Sequence, residues 1–252
     1  MTTRRLMDFF FEVHNDLPRE APGNNQSTKR ALKMVRNLAP DAKILDIGCG
    51  PGRQTIELAK DSGCHVTALD NHQPFLDKLA RKAENEKVTD IITAVNASMF
   101  DMKFPPNSFD LIWSEGAIYI YGFEKGLRDW KKLLKADGYI VVSELSWLTP
   151  EMPEEPKKFW NENYPAMKSV NENLKIADAC GYSIAGVFVL PNSGWEDYYG
   201  PIEKRIQNLK QTYGDNPEAK KVFDNETAEI ALYRKYGEYY GYVFYILRPN
   251  KV

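Results

Sequence analysis

The fold is decided by the stretch Lys43-Ile44-Leu45-Asp46-Ile47-Gly48-Cys49-Gly50-Pro51-Gly52-Arg53. Its first half is apolar and suits a buried strand, its middle holds glycines at alternate positions, and its end suits the start of a helix. Glycine permits a tight turn and lets a ligand come close to the backbone. The turn between this strand and this helix is therefore the first candidate for a binding site.

The spacing of the glycines argues against a dinucleotide site. The dinucleotide fingerprint is Gly-x-Gly-x-x-Gly, and its last glycine admits close packing of the helix on the strand. Counted from Gly48 the sixth place is Arg53, and counted from Gly50 it is Thr55. Asp46 adds a carboxylate just before the turn, which does not favour a pyrophosphate at a helix N-terminus and suits a positively charged ligand.

From residue 42 to residue 146 the chain alternates between short β-rich runs and segments of helical periodicity. This alternation predicts βαβ units and a mostly parallel sheet. The strands predicted along the whole chain are 44–47, 65–70, 91–95, 109–113, 139–143, 183–190 and 240–247. Helices are predicted around 164–180 and over most of 198–237, whereas the proline-rich residues 149–156 are predicted to be irregular.

With Asp46 included, the motif Asp-x-Gly-x-Gly-x-Gly resembles the first motif of the class I methyltransferases that use S-adenosylmethionine (SAM). The resemblance covers most of residues 27–146, includes the run from Phe104 to Ser114, and points to the small-molecule branch, which contains quinone C-methylating enzymes. It implies an α/β fold, a doubly wound, seven-stranded, mostly parallel sheet of the Rossmann-like methyltransferase type, with a helical insertion before a last antiparallel strand. It also implies SAM as the cofactor and a small-molecule acceptor.

The resemblance divides the chain into three parts of a single methyltransferase domain, residues 1–252. Residues 1–26 are aromatic and are joined to the rest by a loop rich in proline, glycine and asparagine, so we expect a mobile cover segment that stands apart from the core. Residues 27–146 are expected to form the SAM-binding core. Residues 147–252 are expected to complete the sheet and to carry the helical insertion on the substrate side.

The candidates for binding the cofactor are Asp46, Gly48, Gly50, Gly52, Asp70, Asn71, Ser98, Met99 and Ser114. The resemblance implies that Asp70 accepts hydrogen bonds from both ribose hydroxyls; the alternative is a turn aspartate that caps the next helix. Ser98 stands where many relatives have an aspartate for the adenine amino group, and a serine hydroxyl can still accept one hydrogen bond. Met99 is expected to pack on the adenine ring, and Ser114 to lie beside the methionyl part.

Methyl transfer from an activated donor requires alignment of donor and acceptor and exclusion of water more than a fixed set of catalytic residues. The catalytic residue is therefore left open, with His14, Glu115 and Tyr119 as candidates. The alternatives are a surface helix histidine for His14 and a helix-start acid for Glu115. An aromatic cluster at residues 195–199 either lines an acceptor pocket or packs in the core.

Composition narrows the choice of partners. The 252 residues carry a net charge of -2, are 43% hydrophobic and 27% charged, and hold three scattered cysteines. Without a basic patch or a long apolar run, neither nucleic acid nor a membrane is expected as a partner. The cysteines indicate a reducing, cytoplasmic location, and no metal site is expected. The oligomeric state stays open, as do two other functions: a non-catalytic SAM-binding protein and an NAD-dependent oxidoreductase.

Overall fold

The computed structural model describes residues 5–15 and 17–250. Within these residues the strands are β1 Lys43–Ile47, β2 His65–Asp70, β3 Ile92–Asn96, β4 Phe109–Glu115, β5 Leu134–Trp147, β6 Lys168–Ser169, β7 Tyr182–Val189 and β8 Tyr240–Pro249. The α-helices of the same part of the chain are α1 Leu6–Val13, α2 Asn25–Met34, α3 Arg53–Ser62, α4 Gln73–Asn85, α5 Ile118–Tyr121, α6 Phe123–Trp130, α7 Glu154–Asn163, α8 Val170–Ala179, α9 Asn192–Tyr213 and α10 Pro217–Tyr236.

The strands form one sheet in the order β3-β2-β1-β4-β5-β8-β7, and the short β6 pairs with the end of β5. From β3 to β5 all pairs are parallel, whereas β8 runs antiparallel to both β5 and β7. The strand order reverses between β1 and β4, and ligands of such sheets bind outside the carboxyl ends at that point. The predicted fold class is confirmed, with β6 as an addition to the seven predicted strands.

The central parallel strands β1 and β4 are buried on both faces, which accounts for their continuous apolar sequence. Because successive side chains of a strand point to opposite faces, Ile44 of β1 packs into one core while Leu45 and Ile47 pack into the other. Trp113 of β4 joins the same core as Ile44 and is fully buried. The two cores hold the carboxyl ends of β1 and β4 in fixed positions.

The helix α1 contributes to the larger core instead of standing apart from it. Phe9 and Val13 of α1, and Leu17 after it, are at most 4% exposed, and the Phe9 ring lies 5.3 Å from the Tyr213 ring of α9. The prediction of a segment separate from the core is wrong for these side chains, because Phe9 and Val13 lie one turn apart on the face of α1 that packs against α9 and α10. Residues 1–4 and 16 of the predicted cover lie outside the described residues.

The C-terminal part differs most from the sequence prediction. The helix α7 begins inside the residues predicted to be irregular, and it tolerates Pro156 because a proline in the first turn removes no helical hydrogen bond. The predicted helix 164–180 is shorter and is α8, while 198–237 divides into α9 and α10. Trp195 and Tyr199 of α9 are both 1% exposed, and Trp195 stacks on Tyr233 of α10 at 3.9 Å, so this cluster packs in the core.

Candidate active site

A cavity of about 340 Å³ lies at the carboxyl ends of β1, β2 and β4, on the edge of the sheet where the strand order reverses. The predicted site residues that line it are Gly48, Gly50, Asp70, Asn71, Ser98, Met99, Glu115 and Tyr119. Residues from the N-terminal segment close its other side: Phe11, Arg19, Glu20, Ala21 and Pro22. The structure thus brings together most of the predicted site and adds a wall that the sequence did not reveal.

The glycine turn requires glycine for two different reasons. Gly48, Gly50 and Gly52 all have a positive φ, which residues other than glycine rarely adopt. A Cβ on Gly48 would come within 2.5 Å of the Ala117 Cβ, whereas the nearest atom to a Cβ on Gly50 is 3.6 Å away, on Glu20. A Cβ on Gly52 would meet Leu79 at 2.3 Å, so Gly52, which does not line the cavity, admits the packing of α4 on the turn.

Asp70 holds the turn and faces the cavity. Its Oδ2 accepts the backbone N–H of Gly50 at 2.9 Å, and its Oδ1 accepts that of His72 at 2.9 Å. The second contact is the turn interaction that the alternative interpretation anticipated. Each carboxylate oxygen can accept a further hydrogen bond, so the two interpretations are compatible.

Ser98 and Met99 line the cavity after β3, opposite the glycine turn. The Ser98 hydroxyl accepts the backbone N–H of Phe100 at 3.2 Å, which fixes the start of the loop. Asn71, between Asp70 and His72, also lines the cavity. These side chains surround one end of the cavity with hydrogen-bonding groups and a thioether.

Asp46 and Ser114 lie beneath the cavity and are not among its lining residues. Both are fully buried: the Thr55 hydroxyl donates to the Asp46 carboxylate at 2.7 Å, and the Ser114 hydroxyl donates to the Ile47 carbonyl at 2.9 Å. Burial raises the pKa of Asp46 to about 7. In this structure Asp46 joins β1 to α3, and Ser114 joins β4 to β1.

Glu115 is the last residue of β4, so the helix-start interpretation is wrong. Its carboxylate accepts hydrogen bonds from the Thr28 hydroxyl at 2.8 Å, from the Trp113 ring N–H at 2.9 Å and from the Arg19 guanidinium at 2.8 Å. Arg19 and Glu115 form a buried ion pair, with side chains 8% and 6% exposed. A carboxylate so fully bonded is suited to hold Arg19 against the cavity, not to remove a proton from an acceptor.

Arg19 and Glu20 are the residues that sequence analysis missed. Arg19 also reaches Gln54 and Thr28, so one guanidinium ties the N-terminal segment to α2, α3 and β4. Their loop has no motif, and Arg19 and Glu115 are 96 positions apart. The sequence gives one weak indication of their importance, because Arg19 and Glu20 are two adjacent charged residues in the short loop between Pro18 and Pro22.

His14 is buried and does not line the cavity, so the surface interpretation is wrong. Its ring lies between two carboxylates, with Nδ1 at 3.7 Å from Glu20 and Nε2 at 3.4 Å from Glu226. Burial opposes the charged form, yet the two carboxylates outweigh it and raise the pKa of His14 to about 9. His14 is a charged link between Glu20, which lines the cavity, and α10.

Tyr119 of α5 lines the cavity and is 45% exposed. Its ring meets the Tyr164 ring edge-to-face, with the centroids 5.8 Å apart. Of the three catalytic candidates it is the one with an accessible side chain.

Among the described residues, none of the helices has both the length and the apolar character that crossing a bilayer requires. In the same part of the chain, His, Cys, Asp and Glu side chains form no group of three or more that could hold a metal ion.

Comparison with known proteins identifies the domain. Residues 44–138 match the family described as the methyltransferase domain. Over these residues the chain is similar to methyltransferase domains. A solved SAM-dependent methyltransferase from Geobacter sulfurreducens, in complex with S-adenosyl-L-homocysteine, has the same fold, with a TM-score of 0.84 and 22% identity over 96% of this chain and 98% of that chain.

Curated relatives of the methyltransferase domain act on chemically different molecules, as their names state. A sterol 24-C-methyltransferase from Aspergillus fumigatus is 27% identical over 158 residues, which is 61% of this chain and 40% of that protein. A sarcosine/dimethylglycine N-methyltransferase from Halorhodospira halochloris is 26% identical over 125 residues, which is 49% of this chain and 45% of that protein. The chain spans less than half the length of these relatives.

Proposed function

We propose that this protein transfers the methyl group of SAM to a small-molecule acceptor. The observation that carries the proposal is that the glycine backbone at Gly48 and Gly50 lines the same cavity as the Asp70 carboxylate. Both Asp70 oxygens retain acceptor capacity for the two ribose hydroxyls, which are donors. Ser98 and Met99 line the same cavity, which supports their proposed contact with the adenine, and the residues present fit SAM.

The protein's part in this reaction is binding, orientation and exclusion of water. SAM supplies an electrophilic methyl group on a sulfonium when it is bound. Gly48, Gly50 and Asp70 fix one end of the cavity, while Glu115 holds Arg19 in place at the other side. Phe11 and Pro22 shield the cavity from solvent, which strengthens electrostatic interactions inside it.

An NAD-dependent oxidoreductase is the less favoured enzyme. Arg53 stands where the dinucleotide fingerprint has its last glycine. The Arg53 side chain donates a hydrogen bond to the Asn25 side chain at 3.1 Å, a contact that a glycine could not make. A SAM-binding protein without activity would share every contact described so far. A measurement of methyl transfer distinguishes such a SAM-binding protein from an enzyme.

The acceptor, the location and the cover are further parts of this proposal. The names of the sterol and sarcosine relatives support a small acceptor, and the composition offers no basic patch for nucleic acid. Three free cysteines support a cytoplasmic location. We infer that the N-terminal segment covers the cavity through Phe11, Arg19 and Glu20, and that it opens at this loop to admit ligands.

A methyl-transfer assay tests the proposal. The purified protein is incubated with SAM carrying a labelled methyl group and with a panel of small amines, phenols, thiols and isoprenoids. We expect labelled product and S-adenosylhomocysteine to appear together with one acceptor class. Binding of SAM without turnover on any class, under conditions where a known methyltransferase is active, would favour the non-catalytic alternative.

A further inference from the structure

A buried carboxylate stands behind the wall of the cavity and takes no part in the contacts described above. Glu144 of β5 is 2% exposed. It follows Ser143, which pairs with Glu115 at the end of β4 and whose hydroxyl accepts the N–H of Gly116, a residue that lines the cavity, at 2.8 Å. Glu144 therefore lies on the carboxyl edge of the sheet, next to the cavity.

The two oxygens of Glu144 differ in their contacts. Oε1 accepts the Tyr164 hydroxyl at 2.6 Å. Oε2 is buried and, among the residues that the structure describes, has no hydrogen-bond partner. Buried polar atoms without partners are rare and are frequently completed by a ligand or by water. The free oxygen therefore points to a missing partner on this side of the cavity.

Two tyrosine rings separate Glu144 from the cavity. Tyr119 lines the cavity and contacts Tyr164, which in turn is bonded to Glu144. Desolvation of the hydroxyl and, after it, the charge of Glu144 raise the pKa of both tyrosines. Both rings are thus held in the neutral form that attracts a cation to its face.

Acidic side chains outnumber cationic ones near Glu144 and the two tyrosines. Within the described chain, neither Glu144 nor Glu229 forms an ion pair with lysine or arginine, and Glu20 faces the cavity nearby. Burial raises the pKa of Glu144 to about 8 and that of Glu229 to about 7. His14 is the neighbouring cation, and it is already held between Glu20 and Glu226. A bound cation would offset the cost of ionising these carboxylates.

We propose that Tyr119, Tyr164 and Glu144 form the acceptor subsite and that this subsite binds a small substituted ammonium group of the acceptor, while a different, nucleophilic atom of the same molecule receives the methyl group and SAM leaves as S-adenosylhomocysteine. The proposal rests on the proposed function, because it assigns the acceptor for methyl transfer. The ring of Tyr119, which lines the cavity, supplies the contact with the cation, Tyr164 connects this ring to Glu144, and Glu144 supplies the compensating charge. An uncharged acceptor of the same shape gains neither interaction.

Calorimetric titration tests the subsite without relying on turnover. Choline is the probe, since it is permanently charged, and 3,3-dimethyl-1-butanol is its uncharged isostere. Both are titrated into the full-length protein in the presence of S-adenosylhomocysteine. We expect choline to bind at least tenfold more tightly than the isostere. Equal binding of the two probes, or no binding of choline, would overturn the proposal.

Variants assign the effect to the named residues. Glu144→Gln keeps the shape and the contact with Tyr164, and it should weaken choline binding about tenfold. Tyr119→Leu should weaken it about three- to thirtyfold, whereas Tyr119→Phe, which keeps the ring, should restore most of it. Asp197→Asn, at an exposed position of α9, is the control for removal of one negative charge. Unchanged choline binding in both Glu144→Gln and Tyr119→Leu would contradict the assignment.

Separate titrations distinguish failure of the subsite from failure of the proposed function. Binding of S-adenosylhomocysteine to each variant reports whether the protein is folded and whether the donor side is intact. Choline binding without any binding of S-adenosylhomocysteine or SAM would support the subsite and reject methyl transfer. If Glu144→Gln weakens SAM but not S-adenosylhomocysteine or choline, the carboxylate serves the donor sulfonium and the acceptor proposal is wrong.

Discussion

The two sides of the cavity are encoded in different ways. The donor side comes from a short, continuous part of the chain, with the glycine turn, Asp70 and Ser98 each placed directly after a strand. The proposed acceptor side is assembled from α1 and its loop and from α5, with β5 and the residues after α7 behind them. A parallel sheet brings strand ends together whatever lies between them, so the donor side follows from local pattern. The acceptor side depends on which distant side chains pair.

The largest effect should come from the pair that joins the two sides. Arg19→Met leaves the Glu115 carboxylate buried with its two remaining donors, and loss of one partner of a buried ion pair costs about 3–5 kcal/mol of unfolding free energy. Chemical denaturation measures the loss. The double variant Arg19→Met, Glu115→Gln should recover much of it, because the orphaned charge is gone.

Arg128→Met is the matched control for that measurement. Arg128 and Glu124 form a pair on α6 whose side chains are 54% and 52% exposed, and exposed pairs contribute little. If Arg19→Met were no more destabilising than Arg128→Met, the link between the N-terminal segment and β4 would be energetically unimportant. The ion pair between Arg19 and Glu115 would then not be what holds the N-terminal segment against the sheet.

The next effect tests whether the donor side is fixed by local geometry. Gly48→Ala combines a left-handed backbone, which costs about 1–2 kcal/mol, with overpacking against Ala117, which costs about 1–3 kcal/mol. Gly63→Ala has a similar φ, and its Cβ meets nothing within 4 Å, so it reports the backbone cost alone. Thermal unfolding of both variants should show the larger loss at Gly48, and equal losses would argue against the close packing of the turn.

A third effect depends on pH and concerns the contact of α1 with α10. The folded pKa of His14, about 9, lies above its ordinary value of 6.5, so its charge stabilises the fold fully below pH 6.5. That contribution is lost as the pH rises through 9. The difference in unfolding temperature between the wild type and His14→Gln should therefore be largest near pH 6 and shrink toward pH 9.5. A difference that stays constant across this range would show that His14 is not charged between Glu20 and Glu226.

The smallest effect concerns the affinity for the donor. Asp70→Ala removes the acceptor for two ribose hydroxyls, and SAM affinity should fall at least about tenfold with the fold intact. Asp70→Asn keeps one acceptor oxygen and should lose less. Because Asp70 also accepts the N–H groups of Gly50 and His72, thermal unfolding of both variants must accompany the titrations. Unchanged SAM affinity in Asp70→Ala would remove this residue from the site.

The sheet and most of the residues on the proposed donor side could be predicted from the sequence, because hydrophobic periodicity and glycine spacing are local signals. Asp46 and Ser114 were predicted to bind the cofactor, whereas in the structure the buried Asp46 side chain contacts α3 and the buried Ser114 side chain contacts β1. Spacing along a strand does not reveal which face a residue occupies at the strand end. Sequence analysis missed Arg19, whose partner Glu115 is 96 positions away. Glu144 carried a weak signal, a charge inside an apolar strand, that could have been noticed.

We expect the acid-flanked glycine turn to bind SAM and not a dinucleotide. Isothermal titration calorimetry of the wild-type protein with SAM, S-adenosylhomocysteine and NADH in parallel tests it most directly. The structure predicts saturable binding of SAM and S-adenosylhomocysteine at one site and no heat from NADH. Saturable binding of NADH with no signal from SAM would contradict it.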